Sequence, residues 1–152
     1  MATTTLTLLT PDDAAALGAR VALALKPGEA VCLSGPLGAG KTTLARGLVR
    51  ALAGEAEEVP SPTFTLVQFY DGPSFPVAHF DLYRLKDGGE AYELGLDEAL
   101  SFGAAVIEWP ERLGEALPPD RLDIELIPDA DGMGRRARLT GWGSWSGRDG
   151  QY

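Results

Sequence analysis

The sequence has no asparagine, one cysteine and one histidine, and each shortage excludes a class of protein. Because Cys32 is the only cysteine, no intramolecular disulfide can form, and Cys32 and His79 are too few for a cysteine–histidine metal cluster. GTPases recognise guanine through an N-K-x-D element, which a chain without asparagine cannot contain. The absences therefore argue against a disulfide, a cysteine–histidine metal cluster and a GTPase.

Positive charge is also scarce, since 13 Lys and Arg stand against 22 Asp and Glu and give a formal net charge of −9. This balance disfavours direct nucleic-acid binding by the chain alone. No apolar run approaches the roughly 18 residues of a membrane helix, and no basic region precedes the apolar residues at the N-terminus. We therefore predict a cytoplasmic protein.

What the sequence does contain is GPLGAGKTT at residues 35–43, which matches the phosphate-binding pattern G-x-x-x-x-G-K-[ST] without a mismatch. In such a loop, successive backbone N–H groups at a helix N-terminus bind phosphates with fixed dipoles. Lys41 is predicted to reach the β- and γ-phosphates, and the Thr42 hydroxyl to ligate Mg²⁺. The loop thus predicts a nucleotide site.

The predicted elements around the loop alternate between strands and helices, which indicates an α/β fold. Strands are predicted at 4–9, 29–34, 65–70, 77–85, 104–109, 121–128 and 135–142, and helices at 11–25, 42–53 and in short pieces over 88–102. We predict a P-loop NTPase-like three-layer sandwich with a mixed, partly parallel sheet and antiparallel hairpins. Residues 1–142 are expected to form a single domain, and the Gly/Ser-rich residues 143–152 a mobile tail.

Two acidic residues compete for the role of metal ligand. Glu108 ends the apolar run 104–108, which is typical of a parallel strand buried on both faces. Asp81 lies in a more mixed run that is expected to be antiparallel. P-loop proteins usually bind Mg²⁺ through a carboxylate on a strand near the P-loop strand, so Glu108 is favoured and Asp81 is expected near the γ-phosphate.

Two further features allow more than one interpretation. Ser61, Pro62 and Thr63 follow the P-loop helix, where a segment ordered by the γ-phosphate and Mg²⁺ is common. A proline-containing turn that enters a strand explains the same residues equally well. His79 on an apolar strand is more typical of a packed residue than of a catalytic base.

The loop alone does not distinguish between classes of P-loop protein. A small-molecule kinase is the main alternative to an ATPase, but it needs an acceptor pocket and usually an arginine-rich lid. The middle and the end of this chain are predicted β-hairpins instead. A non-enzymatic binding module gated by nucleotide is a third hypothesis.

Several motifs together carry a family resemblance: GPLGAGKTTLARGL, VPSPTFTLVQFY, HFDLYRL and VIEWPER occur in that order within residues 10–140. In this the sequence resembles the TsaE (YjeE) family of bacterial P-loop ATPases. The resemblance implies ATP hydrolysis in the formation of N6-threonylcarbamoyladenosine at adenosine 37 of tRNA. It also implies the proteins TsaD and TsaB as partners, with tRNA reached only indirectly through their complex.

The resemblance further implies roles for particular residues. Lys41, Asp81 and Glu108 would be catalytic, and Thr42 and Glu108 would ligate Mg²⁺. Thr63 would lie on a switch-like segment, Trp109 near the nucleotide and Arg135 near its base. The phosphates of ATP would be bound by Gly38, Ala39, Gly40, Lys41, Thr42 and Thr43.

Overall fold

The computed structural model describes residues 3–54, 58–60, 66–86 and 89–152. The strands are β1 Thr3–Leu8, β2 Ala30–Ser34, β3 Val67–Tyr70, β4 Val77–Asp81, β5 Ala104–Glu108, β6 Arg121–Pro128 and β7 Arg135–Trp142. The helices are α1 Pro11–Ala24, α2 Lys41–Ala53, α3 Gly89–Glu93 and α4 Leu96–Phe102, with 3₁₀ segments at Pro110–Ala116 and Gly143–Trp145. The types and order of the predicted elements are confirmed.

The strands form one seven-stranded sheet in the order β1-β7-β6-β2-β5-β4-β3. The central strands β6, β2, β5 and β4 are parallel to one another. Antiparallel pairs complete both edges: β3 with β4, β6 with β7, and β1 with β7. This confirms the mixed, partly parallel sheet, and it corrects the expectation for β4, which is antiparallel to β3 but parallel to β5.

The two faces of the sheet bury two separate apolar clusters. In β2, Val31 and Leu33 pack on the side of α1 and α2, whereas Ala30 and Cys32 pack on the side of α4. This alternation follows from the two-residue period of a strand, and it buries the central strands on both faces as the apolar runs predict. Burial raises the pKa of the Cys32 thiol far above its ordinary value.

Helices α1 and α2 approach each other almost backbone to backbone. A Cβ atom at Gly18 would lie 2.1 Å from the carbonyl oxygen of Leu44, and one at Gly47 would lie 2.2 Å from that of Ala15. Only glycine fits at these two crossings. The close packing fixes the N-terminus of α1 beside the N-terminus of α2, where the P-loop ends.

Within residues 143–152, the side chains of Trp145, Arg148 and Tyr152 contact the rest of the fold, whereas composition led us to expect a mobile tail. Trp145 is 1% exposed and belongs to the cluster on the α1 and α2 side, with its ring 6.0 Å from that of Tyr152. The guanidinium of Arg148 forms two hydrogen bonds of 2.7 Å to Glu29. A buried tryptophan and a bidentate ion pair outweigh the flexibility that glycine and serine give the segment.

Within the described residues, every helix is too short or too polar to cross a membrane.

Candidate nucleotide-binding site

A cleft of about 270 Å³ lies where the P-loop joins β2 to α2. It is lined by Pro11, Ala14, Leu37, Gly38, Gly40, Lys41, Thr42, Thr43, Asp81, Glu108, Trp109 and Arg135. Ligands of open α/β sheets bind at the carboxyl ends of the strands, and the cleft lies at that edge of β2, β4 and β5. Most of the residues selected from sequence therefore lie in one place.

The parallel register of the sheet brings the two acidic candidates together. Strand β5 lies between β2 and β4, and Glu108 is the direct partner of Asp81 on one side and of Leu33 on the other. Both carboxylates are nearly inaccessible, with 2% of Glu108 and 4% of Asp81 exposed. One oxygen of Asp81 accepts a hydrogen bond from the backbone N–H of Tyr83 at 3.1 Å.

Glu108 is held by the first turn of α2 and by strand β4. The Thr42 hydroxyl donates to its carboxylate, with Oγ1 3.0 Å from Oε1 and 3.2 Å from Oε2. Nε2 of His79 lies 2.6 Å from Oε2. The carboxylate therefore points toward the P-loop rather than toward solvent, as a ligand at this edge of the sheet requires.

Lys41 folds back over its own loop. Its ammonium donates to the carbonyl oxygens of Gly35 at 2.5 Å and Pro36 at 2.9 Å, and it lies 4.2 Å from the centre of the Trp109 ring. Burial lowers the pKa of Lys41, and the negative charges of Glu108 and other nearby carboxylates offset part of that shift. These contacts keep a positive charge inside the cleft at the place where phosphates are expected.

Trp109 has an unusual backbone. Its φ and ψ of 61° and 51° are left-handed, which is rare for a bulky residue and occurs mostly at functional sites. Its N–H donates to the carbonyl oxygen of Leu33, and its ring lies 4.9 Å from that of Tyr83 at 46°. The strained turn directs the indole into the cleft immediately after Glu108.

Arg135 reaches the P-loop from the start of β7. Its Nη2 donates to the carbonyl oxygen of Gly38 at 2.9 Å, while its Nε is buried without a hydrogen-bond partner among the described residues. Gly40, which lies beside this guanidinium, has a φ of 102°, a value that only glycine adopts readily. Arg135 therefore lines the cleft with its guanidinium tied to the P-loop.

Among the described residues selected from sequence, Ala39 does not line the cleft. The side chain of Ala39 is buried in the apolar cluster, and its N–H donates to the carbonyl oxygen of Pro36 at 3.1 Å. Ser61, Pro62 and Thr63 lie outside the described residues, so the switch interpretation stays a prediction.

Sequence reasoning missed four residues that the structure places in or against the site. Pro11 and Ala14 contribute from the start of α1, and Leu37 contributes from the P-loop. No local pattern marks Pro11 and Ala14, because only the packing of α1 on α2 puts them there. His79 did carry a signal: it precedes Asp81 by two positions in a strand and therefore shares its face.

The donor set suits Mg²⁺ held jointly with a nucleotide. No group of three or more His, Cys, Asp or Glu that could hold a metal by itself occurs in the part of the chain that the structure describes. Thr42 and Glu108 nevertheless bring a hydroxyl and a carboxylate within 3.0 Å of each other. Mg²⁺ prefers such oxygen ligands and usually takes its remaining ligands from water and substrate phosphates, so these residues fit it.

Comparison with known proteins gives a consistent result. The sequence model of the family "Threonylcarbamoyl adenosine biosynthesis protein TsaE" matches residues 8–137. The tRNA threonylcarbamoyladenosine biosynthesis protein TsaE of Streptomyces coelicolor is 42% identical over 142 residues, which cover 88% of this chain and 94% of that protein. The protein of the same name from Bacillus subtilis is 39% identical over 117 residues, covering 76% and 72% respectively.

A solved structure agrees with these sequence matches. The crystal structure of YdiB from Bacillus subtilis superposes with a TM-score of 0.79 at 31% identity, covering 95% of this chain and 90% of that one. The predicted P-loop NTPase-like fold is confirmed. The matches give no support to the small-molecule kinase considered from the sequence.

Proposed function

Because this chain belongs to the TsaE family, we propose that it is a Mg²⁺-dependent ATPase acting in the formation of N6-threonylcarbamoyladenosine at adenosine 37 of tRNA. The observation that carries the ATPase proposal is the convergence of Lys41, Thr42, Asp81 and Glu108 in one cleft at the P-loop. Four of the five buried polar or charged side chains among the described residues are Lys41, His79, Asp81 and Glu108, all at this cleft. Buried ionisable groups are uncommon and tend to cluster at functional sites, which favours a binding role for this cleft.

The triphosphate would lie at the N-terminus of α2. The first N–H groups of a helix have no partner within the helix, so they are available to phosphate oxygens. Lys41 would exchange its hydrogen bonds to Gly35 and Pro36 for stronger, charge-assisted bonds to the β- and γ-phosphates. Glycine at position 40 allows the close approach that these contacts need.

Thr42 and Glu108 would hold Mg²⁺, which when bound supplies positive charge against the β- and γ-phosphate oxygens. Asp81 would orient the attacking water, helped by the Tyr83 N–H that fixes one of its oxygens. In hydrolysis the water oxygen bonds to the γ-phosphorus and the bond to the β–γ bridging oxygen breaks, which releases ADP and phosphate. Catalysis of this kind depends on positioning and charge stabilisation.

The nucleoside would occupy the outer part of the cleft. We place Trp109 beside the nucleotide and Arg135 near its base, because both residues line this cleft. Thr63 belongs to the proposed switch segment that would respond to the γ-phosphate.

The proposed partners are TsaD and TsaB, and the family resemblance is the basis for them. A chain with a net charge of −9 is not suited to hold tRNA by itself, so we propose that it meets tRNA only through that complex, in the cytoplasm. ATP turnover would then be slow alone and stimulated by the partners.

The deciding experiment measures phosphate release from ATP by the wild type and by Lys41→Ala, each with and without TsaB and TsaD. We expect slow release by the wild type, strong stimulation by the partners, and little release by Lys41→Ala under either condition. If TsaB and TsaD leave the rate of phosphate release unchanged, the pathway assignment is rejected. Equal turnover by the two proteins would reject the ATPase site itself.

A further inference from the structure

His79 lies beneath the floor of the cleft. It precedes Asp81 by two positions in β4, so the two side chains share a face of the sheet, and the register pairs Asp81 with Glu108. Its exposed fraction is 0%, and it is not one of the described side chains that line the cleft. His79 is thus placed to act on the site through Glu108 rather than by touching a nucleotide.

Among the residues that the structure describes, the His79 imidazole makes one hydrogen bond, and it goes to Glu108. Its Nε2 lies 2.6 Å from Oε2, and because an ionised carboxylate can only accept, Nε2–H is the donor. Nδ1 is buried without a hydrogen-bond partner among the described residues.

This one-sided bonding distinguishes His79 from an ordinary packed histidine. Buried polar atoms usually find partners, so a histidine kept only for packing would be expected to satisfy both nitrogens or to be replaced by an apolar residue. Here Nδ1 has no partner within the described ranges, while Nε2 holds a carboxylate at the carboxyl edge of the sheet. The hydrogen bonding of His79 therefore fixes the Glu108 carboxylate and adds little to the stability of the core.

We propose that His79 is a positioning residue: its Nε2–H holds Oε2 of Glu108 so that Oε1 faces the Thr42 hydroxyl and the Mg²⁺ site. The inference rests on the proposed ATPase function, which supplies the role of Glu108. The Thr42 Oγ1 to Oε1 distance of 3.0 Å is the contact that this orientation preserves. Outer partners of metal ligands commonly fix ligand orientation in this way.

The loss of the N–H would free the carboxylate to turn. The terminal torsion of glutamate is broad, so nothing intrinsic to the side chain keeps its plane in place. A turned carboxylate would move Oε1 away from the Thr42 hydroxyl, which weakens the metal site and leaves the phosphate contact of Lys41 in place.

The test uses substitutions that differ in whether they keep a donor at the Nε2 position. His79→Gln places an amide N–H at about the reach of Nε2, whereas His79→Asn carries the same group on a shorter side chain, and His79→Phe keeps the ring without a donor. Phe80→Leu serves as the matched control, because Phe80 is buried in the same strand but faces the opposite cluster.

The principal readout is binding of a non-hydrolysable ATP analogue by calorimetry, with and without titrated Mg²⁺. In His79→Phe and His79→Asn we expect the Mg²⁺ affinity of the analogue complex to fall about 10- to 100-fold. Binding of the analogue without Mg²⁺ is expected to stay unchanged, and His79→Gln should recover most of the loss. Phe80→Leu should lower the melting temperature but leave the Mg²⁺ affinity unchanged.

Turnover gives a second readout, in which kcat falls in His79→Phe while the KM for ATP stays within about threefold. Wild-type Mg²⁺ affinity in folded His79→Phe would overturn the proposal, as would equal losses in His79→Gln and His79→Asn. If His79→Phe does not fold, the comparison of Gln with Asn decides. A wild type that binds the analogue with Mg²⁺ but releases no phosphate would reject the ATPase, while the binding comparison would still test His79.

Discussion

Two glutamates are buried at opposite ends of the central strands, and their surroundings differ. Glu29, just before β2, receives two hydrogen bonds from Arg148 and one each from the Ser144 hydroxyl and the Lys26 N–H. Glu108, at the end of β5, is held by the Thr42 hydroxyl and the His79 imidazole, without an ion pair to Lys or Arg among the described residues. The charge of Glu29 is thus neutralised by Arg148, whereas the charge of Glu108 can interact with a ligand.

The difference indicates what each buried charge is for. A fully hydrogen-bonded ion pair at the amino edge of the sheet fastens the chain end and leaves nothing for a ligand. At the carboxyl edge, Lys41 donates to backbone carbonyls instead of a carboxylate. The charges of Lys41 and Glu108 therefore do not neutralise each other in an ion pair, and both can interact with a bound ligand. Ligands of α/β sheets bind at that second edge. Replacing matched residues in the two regions should therefore separate stability from activity.

The largest expected effect is on turnover in Glu108→Gln. We expect phosphate release to fall about 1,000-fold, because the neutral amide cannot hold Mg²⁺ or its charge against the phosphates. The free energy of unfolding should stay the same or rise, since a buried charge without a cation partner is removed. Phosphate release and thermal melting of the same preparation measure both, and turnover within threefold of the wild type would contradict the assignment.

The matched substitution at the amino edge of the sheet, Glu29→Gln, should lower the stability of the fold. It leaves the guanidinium of Arg148 without its carboxylate and sets an amide N–H against it, so the free energy of unfolding should fall by about 4 kcal/mol. Denaturant unfolding measures the loss. Glu125→Gln is the control, because the Glu125–Arg138 pair is about half exposed and should contribute less than about 1 kcal/mol.

The packing of the C-terminal segment gives the next prediction. Trp145→Ala should lower the free energy of unfolding by about 3 kcal/mol, because the indole is 1% exposed in the apolar cluster. Trp142→Ala is the control, since that ring is 37% exposed and meets the Arg121 guanidinium at 5.0 Å. Equal melting temperatures of the two variants would restore the expectation of a mobile tail.

The smallest predicted effect depends on pH. Burial raises the pKa of Glu29. Hydrogen bonds from Arg148, Ser144 and Lys26 together lower the pKa by more than burial raises it, so it lies below the ordinary value of 4.5. A lowered pKa means that the stabilisation is complete above about 4.5 and is lost as the pH falls through the folded-state value.

Arg148→Met tests this dependence. At pH 7 the variant should be less stable than the wild type by about 2 kcal/mol, the typical contribution of hydrogen bonds to a charged group. The difference should shrink as the pH falls below about 4.5, because protonated Glu29 no longer needs the guanidinium. Chemical unfolding at a series of pH values measures it, and a constant difference would show that Arg148 stabilises the chain through packing alone.

Local sequence was enough to predict the parts of the site that follow one another in the chain. The P-loop pattern pointed to Lys41 and Thr42, and the apolar run before Glu108 predicted a buried parallel strand that ends at the proposed metal site. The hydrogen bond between Thr42 and Glu108 joins residues that are 66 positions apart in the chain. It forms because β2, which leads into the P-loop, lies beside β5, which ends at Glu108.

Long-range partners explain what the sequence did not reveal. Arg148 pairs with Glu29 across 119 residues, and nothing near either residue indicates the other. Composition therefore predicted a mobile tail where Trp145 is buried. Arg135 reaches Gly38 across 97 residues, and only the family resemblance pointed to it. His79 could be placed on the face of Asp81 by strand period, but its contact with Glu108 needed the β4–β5 register.

The most direct test of the contrast between the two regions is the rise in melting temperature on adding Mg²⁺ and ATP. A ligand that binds only the folded state stabilises it by about 2.7 kcal/mol at 100 times its Kd. We predict that wild type and Glu29→Gln show the same rise, although Glu29→Gln starts from a lower melting temperature, and that Lys41→Ala shows none. A full rise in Lys41→Ala, or no rise in folded Glu29→Gln, would contradict the account.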